Sequence, residues 1–385
     1  MQVLRDEALR FHDRGGLIRG LNEDEMTLHE TALRAVHDRD GATVVPYAGW
    51  AMPLRYSSDL AEHRAVRASA GLFDLSHMAQ LEVSGPDASA ALDHALVGVY
   101  GAMMIGKAKY SMITTSDGGI VDDLIVYRIA SEEYLVIANA SNRERVRDEI
   151  VERSAHLAVQ VIDHTHSRAM IAIQGPRAAE ILSGLTPAEL DTIRYYAITS
   201  TSVAGIPALL ARTGYTGEDG FEVIVPAESA VALWDALRAA GDAAGLVPCG
   251  LAARDTLRLE AGMPLYGNEL SEAVTPYAAN LGRVVNLDHE FVGRDALAAA
   301  TEPARGLVSL VGEGRRAARA GSVVRVDGTE IGIITSGVLS PSLGHPIALA
   351  LVDSAYTAHG TVLSADVRGH ELPMTIVPGP FYRRS

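Results

Sequence analysis

Residues 117–127 read Asp117-Gly-Gly-Ile-Val-Asp-Asp-Leu-Ile-Val-Tyr127, a turn signal followed by an apolar run that contains two adjacent acids. Asp-Gly and Gly-Gly pairs are typical of hairpin turns, because glycine adopts positive φ at no steric cost. A second β-like run, Tyr110–Thr114, precedes the turn. Two such runs on either side of a short turn predict an antiparallel hairpin.

Strands and helices alternate around this hairpin, and their order occurs twice. The first cycle has a strand at 80–83, a helix at 86–96, the hairpin, a strand at 133–138 and a helix at 142–154. The second has a strand at 170–173, a helix at 176–185, two strands within 202–211 across Gly205-Ile206-Pro207, a strand at 221–226 and a helix at 227–243. Because long regular crossovers are missing, the pattern predicts an α+β fold with antiparallel sheets and a weak internal duplication.

The two ends of the chain differ from this middle part. Residues 1–25 are charged and are predicted to be an N-terminal extension, and an apolar spacing over 27–36 predicts a helix with Thr27 as its N-cap. After residue 303 helical patterns disappear, and short strands separated by turns follow. Residues 303–385 are therefore predicted to form a small β-barrel or sandwich.

Composition excludes several function classes. The net charge is −15, from 33 Lys+Arg against 48 Asp+Glu, and such a field repels nucleic acid. The sequence has no apolar run long enough for a membrane helix and no secretory signal, so we expect a cytoplasmic protein. Cys249 is the only cysteine, and His164-Thr165-His166 has no evident third ligand nearby. We therefore expect neither a disulfide within the chain nor a metal site.

The pair Asp122-Asp123 is the most informative polar feature. Successive side chains of a strand point to opposite faces, so one acid faces the interior and the other faces a turn or solvent. Two interpretations stay open. The acids could cap the turn at the start of the strand, or one could be held in a pocket where it meets a protonated substrate nitrogen.

Two further segments combine glycine with charge. Arg212–Glu222 contains Gly214, Gly217 and Gly220, which is typical of a loop whose backbone approaches something closely. A hairpin without a ligand would look similar. Residues 250–262 predict an amphipathic helix on which Arg254 and Arg258, four residues apart, share a face; an internal salt-bridge network is the alternative to a binding role.

Several ordered segments of the chain resemble the aminomethyltransferase (T-protein) family of the glycine cleavage system. They are Tyr47-Ala-Gly-Trp-Ala-Met-Pro53, Gly71-Leu-Phe-Asp-Leu-Ser-His-Met78, 118–127, Ile173-Gln-Gly-Pro176, 212–222, 249–262, Thr335-Ser-Gly-Val-Leu-Ser-Pro341 and Pro380-Phe-Tyr382. The likeness runs from about Thr27 to the end. The Lys-Gly-Cys-Tyr-type motif of the related iron–sulfur assembly proteins is missing.

The resemblance implies a three-domain cloverleaf around a central folate channel, with residues 26–295 forming two intertwined α+β folate-binding domains. It implies that Asp123 is the catalytic carboxylate at the reacting folate nitrogen. It also implies that Glu222 binds the aminopyrimidine edge of the pterin, since a carboxylate can accept two parallel N–H bonds. The other folate-binding residues implied are Met78, Tyr110, Tyr215 and Arg254. The implied partners are tetrahydrofolate and the lipoyl carrier H-protein, with a monomer or small oligomer as the state of assembly.

The chain departs from the family pattern at several positions. Ala51 stands where the family usually has Glu, Gly98-Val99 where it has Asn-Asp, Ala79-Gln80 where it has Gly-Glu, and Met263 where an aromatic residue is frequent. The folate-facing residues are retained, so the donor side is the part in question. Three hypotheses follow: a T-protein, a tetrahydrofolate-dependent demethylase or other specialised one-carbon transferase acting on a free small molecule, and a non-catalytic folate-binding or assembly protein.

Overall fold

The computed structural model describes residues 27–384. Its strands are β1 (Thr43–Tyr47), β2 (Trp50–Arg55), β3 (Ala70–Asp74), β4 (Ala79–Ser84), β5 (Ala108–Thr114), β6 (Ile120–Ala130), β7 (Glu133–Ala138), β8 (Gln160–Asp163), β9 (Arg168–Gln174), β10 (Ile198–Val203), β11 (Ile206–Ala211), β12 (Gly220–Pro226), β13 (Leu246–Pro248), β14 (Arg305–Gly312), β15 (Val323–Val326), β16 (Thr329–Leu339), β17 (Pro346–Asp353), β18 (Val362–Val367) and β19 (His370–Val377). Its α-helices are α1 (Arg34–Arg39), α2 (Asp59–Ala68), α3 (Ala88–Ala95), α4 (Arg143–Arg153), α5 (Ala178–Ser183), α6 (Ala230–Gly241), α7 (Leu251–Glu260) and α8 (Arg294–Ala299). Within the described part of the chain, none of the helices has the length and apolar character needed to cross a bilayer.

The first sheet is built around the predicted hairpin. Its strand order is β5-β6-β7-β4-β8, and every neighbouring pair is antiparallel. One face packs on α3 and α4, whose apolar side chains, such as Leu92 and Ile150, are buried against Leu124 and Val136 of the sheet. The helices cover only this face, so the opposite face is left for the second sheet.

The second sheet repeats this arrangement. Its order is β10-β11-β12-β9-β3-β13, and only its β3–β13 pair is parallel. The run β9-α5-β10-β11-β12-α6 has the same order as β4-α3-β5-β6-β7-α4, and in both sheets the first strand of the run pairs with its fourth. The repeated order read from the sequence is therefore present in the fold.

The two sheets share an apolar core, formed by the faces that the helices leave open. It includes Phe73, Leu135, Ile137, Met170 and Ile224, all buried. Each of these side chains removes apolar surface from water, and full burial of one contributes roughly 1.5–3 kcal/mol. This layer holds β6, the strand that carries Asp122 and Asp123, against the second sheet.

The C-terminal strands close into a barrel in the order β14-β17-β16-β15-β18-β19. Its interior is filled by small and branched side chains such as Val324, Ile334, Ala350 and Ala365. The barrel confirms the predicted all-β C-terminal unit and, with the two sheets, the predicted α+β fold class. The predicted domain limits of 26–295 and 303–385 stay predictions, and the predicted extension at 1–25 lies outside the described residues.

Two local predictions were wrong. The first helix begins at Arg34 rather than near Thr27, because His29 instead pairs with the β1–β2 hairpin through the backbone of Gly49 and Ala51. The β10–β11 turn consists of Ala204 and Gly205, both at positive φ. Two consecutive positive φ values are those of a type I′ hairpin, so Pro207 lies in β11, opposite Ser202, and not in the turn.

A buried carboxylate joins the barrel to the rest of the chain. Glu260, at the end of α7, accepts hydrogen bonds from the loop after β16, namely from Ser340 Oγ at 2.5 Å and Ser342 N at 2.9 Å. From α2 it accepts a bond from Arg67 Nη2 at 3.0 Å, and His63 Nε2 lies 3.2 Å away. His63 is the main group that holds the pKa of Glu260 down, to about 2, against the opposing effect of burial.

We expect Glu260→Ala to lower the free energy of unfolding by about 3–5 kcal/mol, since it removes one of the two carboxylates paired with the largely buried Arg67 and leaves the hydroxyls of Ser340 and Ser342 without their acceptor. Because the folded-state pKa is depressed, the stabilisation by Glu260 is present above its ordinary pKa of 4.5 and is lost as the pH falls toward 2. Urea denaturation at pH 7 measures the effect. Glu290→Ala, whose side chain is 82% exposed, is the control; equal stability of the two variants would contradict this role.

Candidate functional site

A large cavity lies where the two sheets, α7 and the barrel meet. All six residues that the sequence singled out line it: Met78, Tyr110, Asp123, Tyr215, Glu222 and Arg254. They come from elements far apart in the chain, and the fold brings them together. The barrel contributes residues of β16 and the loop that follows it, such as Ser336 and Ser340.

The strand β6 sends its two adjacent acids to opposite sides. Asp122 lies opposite Ile113 of β5 and is completely buried. Asp123 lies opposite Met112, faces the second sheet and lines the cavity. The alternation expected of a strand therefore gives one interior acid and one cavity acid, and the pocket interpretation of this pair is the one that the geometry supports.

Two neutral donors hold the Asp123 carboxyl. Tyr110 Oη donates to Oδ2 at 3.0 Å, and Asn139 Nδ2 donates to Oδ1 at 2.9 Å. Burial, opposed by these two hydrogen bonds, raises the pKa of Asp123 to about 6. Burial also raises the pKa of Tyr110 well above its usual value, so the phenol keeps its proton and remains a donor. Asp123 is thus a carboxyl that changes protonation state near neutral pH.

Glu222 is the second acid of the cavity, and it comes from β12 of the second sheet. Its Oε2 accepts a hydrogen bond from Thr213 Oγ1 and a longer one, at 3.4 Å, from Tyr127 Oη. Burial raises its pKa. Its Oε1 has no hydrogen-bond partner within residues 27–384, so one oxygen of this carboxyl is free to accept a hydrogen bond from a molecule in the cavity.

Tyr215 and Arg254 form a stacked pair on the cavity wall. The Arg254 guanidinium carbon lies 4.8 Å from the centre of the Tyr215 ring, within the range of a cation–π contact. Tyr215 Oη donates to the carbonyl of Pro264, which anchors the ring. In the described part of the chain no acid forms an ion pair with Arg254. Its charge is therefore available to an anionic or electron-rich group.

The glycines of 212–222 approach protein rather than empty space. A Cβ at Gly214 would lie 2.0 Å from Gln174 Oε1, and one at Gly220 would lie 2.5 Å from the Ile173 carbonyl. The close approach read from the sequence is thus to β9. Arg258, the neighbour of Arg254 on α7, is buried and pairs with Glu269 at 3.0 Å, so the salt-bridge interpretation holds for Arg258.

Several residues of the cavity were not predicted from the sequence. Asn139 contacts Asp123 and directly follows β7, whose last residue, Ala138, pairs with Leu124. An amide side chain that directly follows a strand next to the two acids could have predicted this contact. The ring of His77 also lines the cavity, and burial lowers its pKa to about 4, so it is neutral. Tyr196 also lines the cavity, and no pattern in the sequence pointed to it.

Comparisons with known proteins all indicate one family, and the matches cover most of the described chain. Residues 33–289 match the family described as GCVT N-terminal domain, and residues 305–383 match the glycine cleavage T-protein C-terminal barrel domain. The chain is 55% identical to an aminomethyltransferase of Streptomyces coelicolor, over 93% of this chain and 98% of that protein. It is 52% identical to one of Cutibacterium acnes, over 93% and 100% of the two chains.

A solved structure gives the same result. The crystal structure of glycine cleavage system aminomethyltransferase T from Bartonella henselae superposes with a TM-score of 0.87 at 36% sequence identity, covering 93% of this chain and 99% of that one. The two chains thus share one fold over nearly their whole lengths. The chain therefore belongs to the aminomethyltransferase family, the T-proteins of the glycine cleavage system.

Proposed function

We propose that this enzyme transfers the one-carbon unit of an aminomethyl group, carried on the lipoyl arm of an H-protein, to tetrahydrofolate. The products are methylene-tetrahydrofolate, ammonia and the reduced lipoyl arm. The observation that carries the proposal is the placement of Asp123 and Glu222, one acid from each sheet, in the same cavity. Family membership supports the reaction class, and the cavity residues support the roles given below.

The residues fit a reduced pterin. The aminopyrimidine edge of a pterin presents two parallel N–H donors, and a carboxylate is the acceptor that matches them. Glu222 has a free Oε1, and its Oε2 is held by Thr213 and Tyr127, so this carboxyl is oriented before a ligand arrives. Tyr110 and Tyr215 offer aromatic surface, Met78 offers an adaptable apolar contact, and Arg254 offers positive charge.

Asp123 would act at the reacting nitrogen. As a carboxylate it would orient the folate and stabilise positive charge that develops on that nitrogen when it attacks the one-carbon unit. Tyr110 and Asn139 hold both oxygens of the carboxyl in place, so little reorganisation is needed during the reaction. Catalysis would rest on positioning and electrostatics, without a covalent intermediate on the protein.

The proposal extends to the donor of the one-carbon unit, an aminomethyl group on a lipoyl arm. Ala51, Gly98 and Met263 depart from the family pattern, and only Met263 lines the cavity. Ala51 lies buried in β2 and Gly98 packs against Tyr100 and Lys109. These departures leave Asp123 and Glu222 in place. We also propose that the enzyme works in the cytoplasm, as a monomer or small oligomer.

A direct assay tests the reaction. We expect purified enzyme, supplied with aminomethyl-loaded H-protein and tetrahydrofolate, to release ammonia and methylene-tetrahydrofolate in equal amounts. A parallel reaction replaces the loaded carrier with a free N-methylated amine. Turnover only in the second reaction would make the chain a demethylase instead, and folate binding without turnover in either would make it a non-catalytic folate protein.

Asp123→Asn should keep the fold and most of the folate affinity, because the amide has the size of the carboxyl. It should lower kcat about 100- to 1000-fold, since the charge that stabilises the transition state is removed. Single-turnover formation of methylene-tetrahydrofolate measures the loss. A variant with near wild-type kcat would remove Asp123 from the proposed role.

Glu222→Ala should act mainly on binding. Loss of the charge-assisted hydrogen bond accepted by the free Oε1, which contributes about 1.5–3 kcal/mol, should raise the Kd for tetrahydrofolate by roughly 10- to 100-fold. Calorimetric titration measures it. Glu180→Ala, on the exposed side of α5, is the matched control, and an unchanged Kd for Glu222→Ala would contradict the pterin assignment.

A further inference from the structure

The two acids of β6 share one hydrogen-bond donor. Asn139 Nδ2 lies 2.8 Å from Asp122 Oδ1 and 2.9 Å from Asp123 Oδ1, so both oxygens are within hydrogen-bonding distance of a single nitrogen. The same amide also donates to the Asp123 carbonyl at 3.1 Å. Asn139 therefore links the interior carboxyl to the carboxyl in the cavity.

Asp122 is held more firmly than Asp123. Besides the shared amide, it accepts hydrogen bonds from Asn139 N at 2.9 Å and from Asn142 Nδ2 at 2.7 Å, and its side chain is completely buried. All hydrogen-bond partners of the two acids within residues 27–384 are neutral groups. Two neighbouring carboxyls in a buried site without a cationic partner cannot both ionise at low cost, and such a pair titrates as a unit.

We propose that Asp122 is a positioning residue, which holds Asp123 in place through Asn139 and with it forms a carboxyl pair that shares one proton near neutral pH. The proposal deepens the proposed function and depends on it. Asp122 touches no substrate, and its effect reaches the cavity only through Asn139 and through its charge. The burial that raises the pKa of both acids supports this arrangement.

Other groups face the pair from the elements around it. Tyr110 of β5 bonds to Asp123 directly. Glu269, in the loop after α7, adds negative charge that also raises the pKa of Asp123. The phenols of Tyr196, Tyr215 and Tyr266 are close enough for the charge of Asp123 to raise their pKa. The only cations of α7 at the cavity are Arg254 and Arg258, and Arg258 is already paired with Glu269.

A carboxyl pair with one proton suits the proton balance of the proposed reaction. Forming the methylene bridge removes the N–H protons of two folate nitrogens, and the leaving ammonia and the lipoyl sulfur each gain one proton. Asp123, ionised while Asp122 keeps the proton of the pair, can accept a proton from one folate nitrogen and pass that proton to a leaving group, while the second N–H proton and the second leaving group exchange with solvent. The pair is therefore unchanged after each turnover, and the protonated Asp122 keeps a second negative charge out of the buried site.

The test is the pH dependence of turnover in Asp122→Asn. Asp123 ionises while Asp122 is still protonated, so this neutral replacement should leave the acidic limb of kcat/KM in place and should abolish the step at higher pH at which Asp122 ionises. The Kd for tetrahydrofolate should stay unchanged. Asp163→Asn is the matched control, because Asp163 lies in the same sheet but pairs with Arg143; we expect the step at higher pH to remain in this variant.

The outcomes separate the two proposals. If the wild-type enzyme shows no turnover with the loaded carrier, the proposed function fails. If the wild type turns over but Asp122→Asn keeps the step at higher pH, only the role of Asp122 is overturned. Should Asp122→Asn fail to fold, carbon-13 NMR of aspartate-labelled wild-type protein decides, with Asp123→Asn for assignment. We expect two-step titration curves for both carboxyl carbons, and independent single steps in the ordinary aspartate range would overturn the pair.

Discussion

The register of β6 between β5 and β7 determines the chemistry of the site. Because side chains alternate along a strand, a slip of one residue would turn Asp123 into the interior and Asp122 into the cavity. Apolar burial on both faces of the first sheet prevents that slip, with Leu124 and Val126 against the helices and Tyr127 against the second sheet. The position of Asp123 in the cavity is therefore a consequence of core packing and does not depend on local hydrogen bonds alone.

The same packing connects the two acids of the cavity. Tyr127, four residues after Asp123 on β6, reaches across to the second sheet, where its hydroxyl meets Thr213 at 3.0 Å and Glu222 at 3.4 Å. A shift of one sheet against the other would break these contacts and change the distance between the acids. The apolar layer between the sheets thus holds the two ends of the site in register, while the barrel closes its third side.

Much of this could be predicted from the sequence, because the signals were local. The hairpin, the repeated order of elements and the barrel follow from alternation and turn residues, and five of the six predicted site residues, all but Tyr110, lie in the motif segments. Asn139 and Tyr196 were not predicted, because their place in the cavity comes from contacts made across the fold. The first helix was predicted to begin too far toward the N-terminus, because the pairing of His29 with a distant hairpin outweighs the local helical spacing.

The Glu260 network has a consequence for how the chain acquires its structure during synthesis. The serine hydroxyl that bonds to this carboxylate lies 80 residues further along the chain, and the backbone N–H of Tyr382 bonds to the Glu260 carbonyl later still. While a ribosome is still making the barrel, α7 exposes an acid whose partners on that side do not yet exist. Water must solvate it until the barrel emerges, so the cavity acquires its third wall only after the barrel strands have been synthesised.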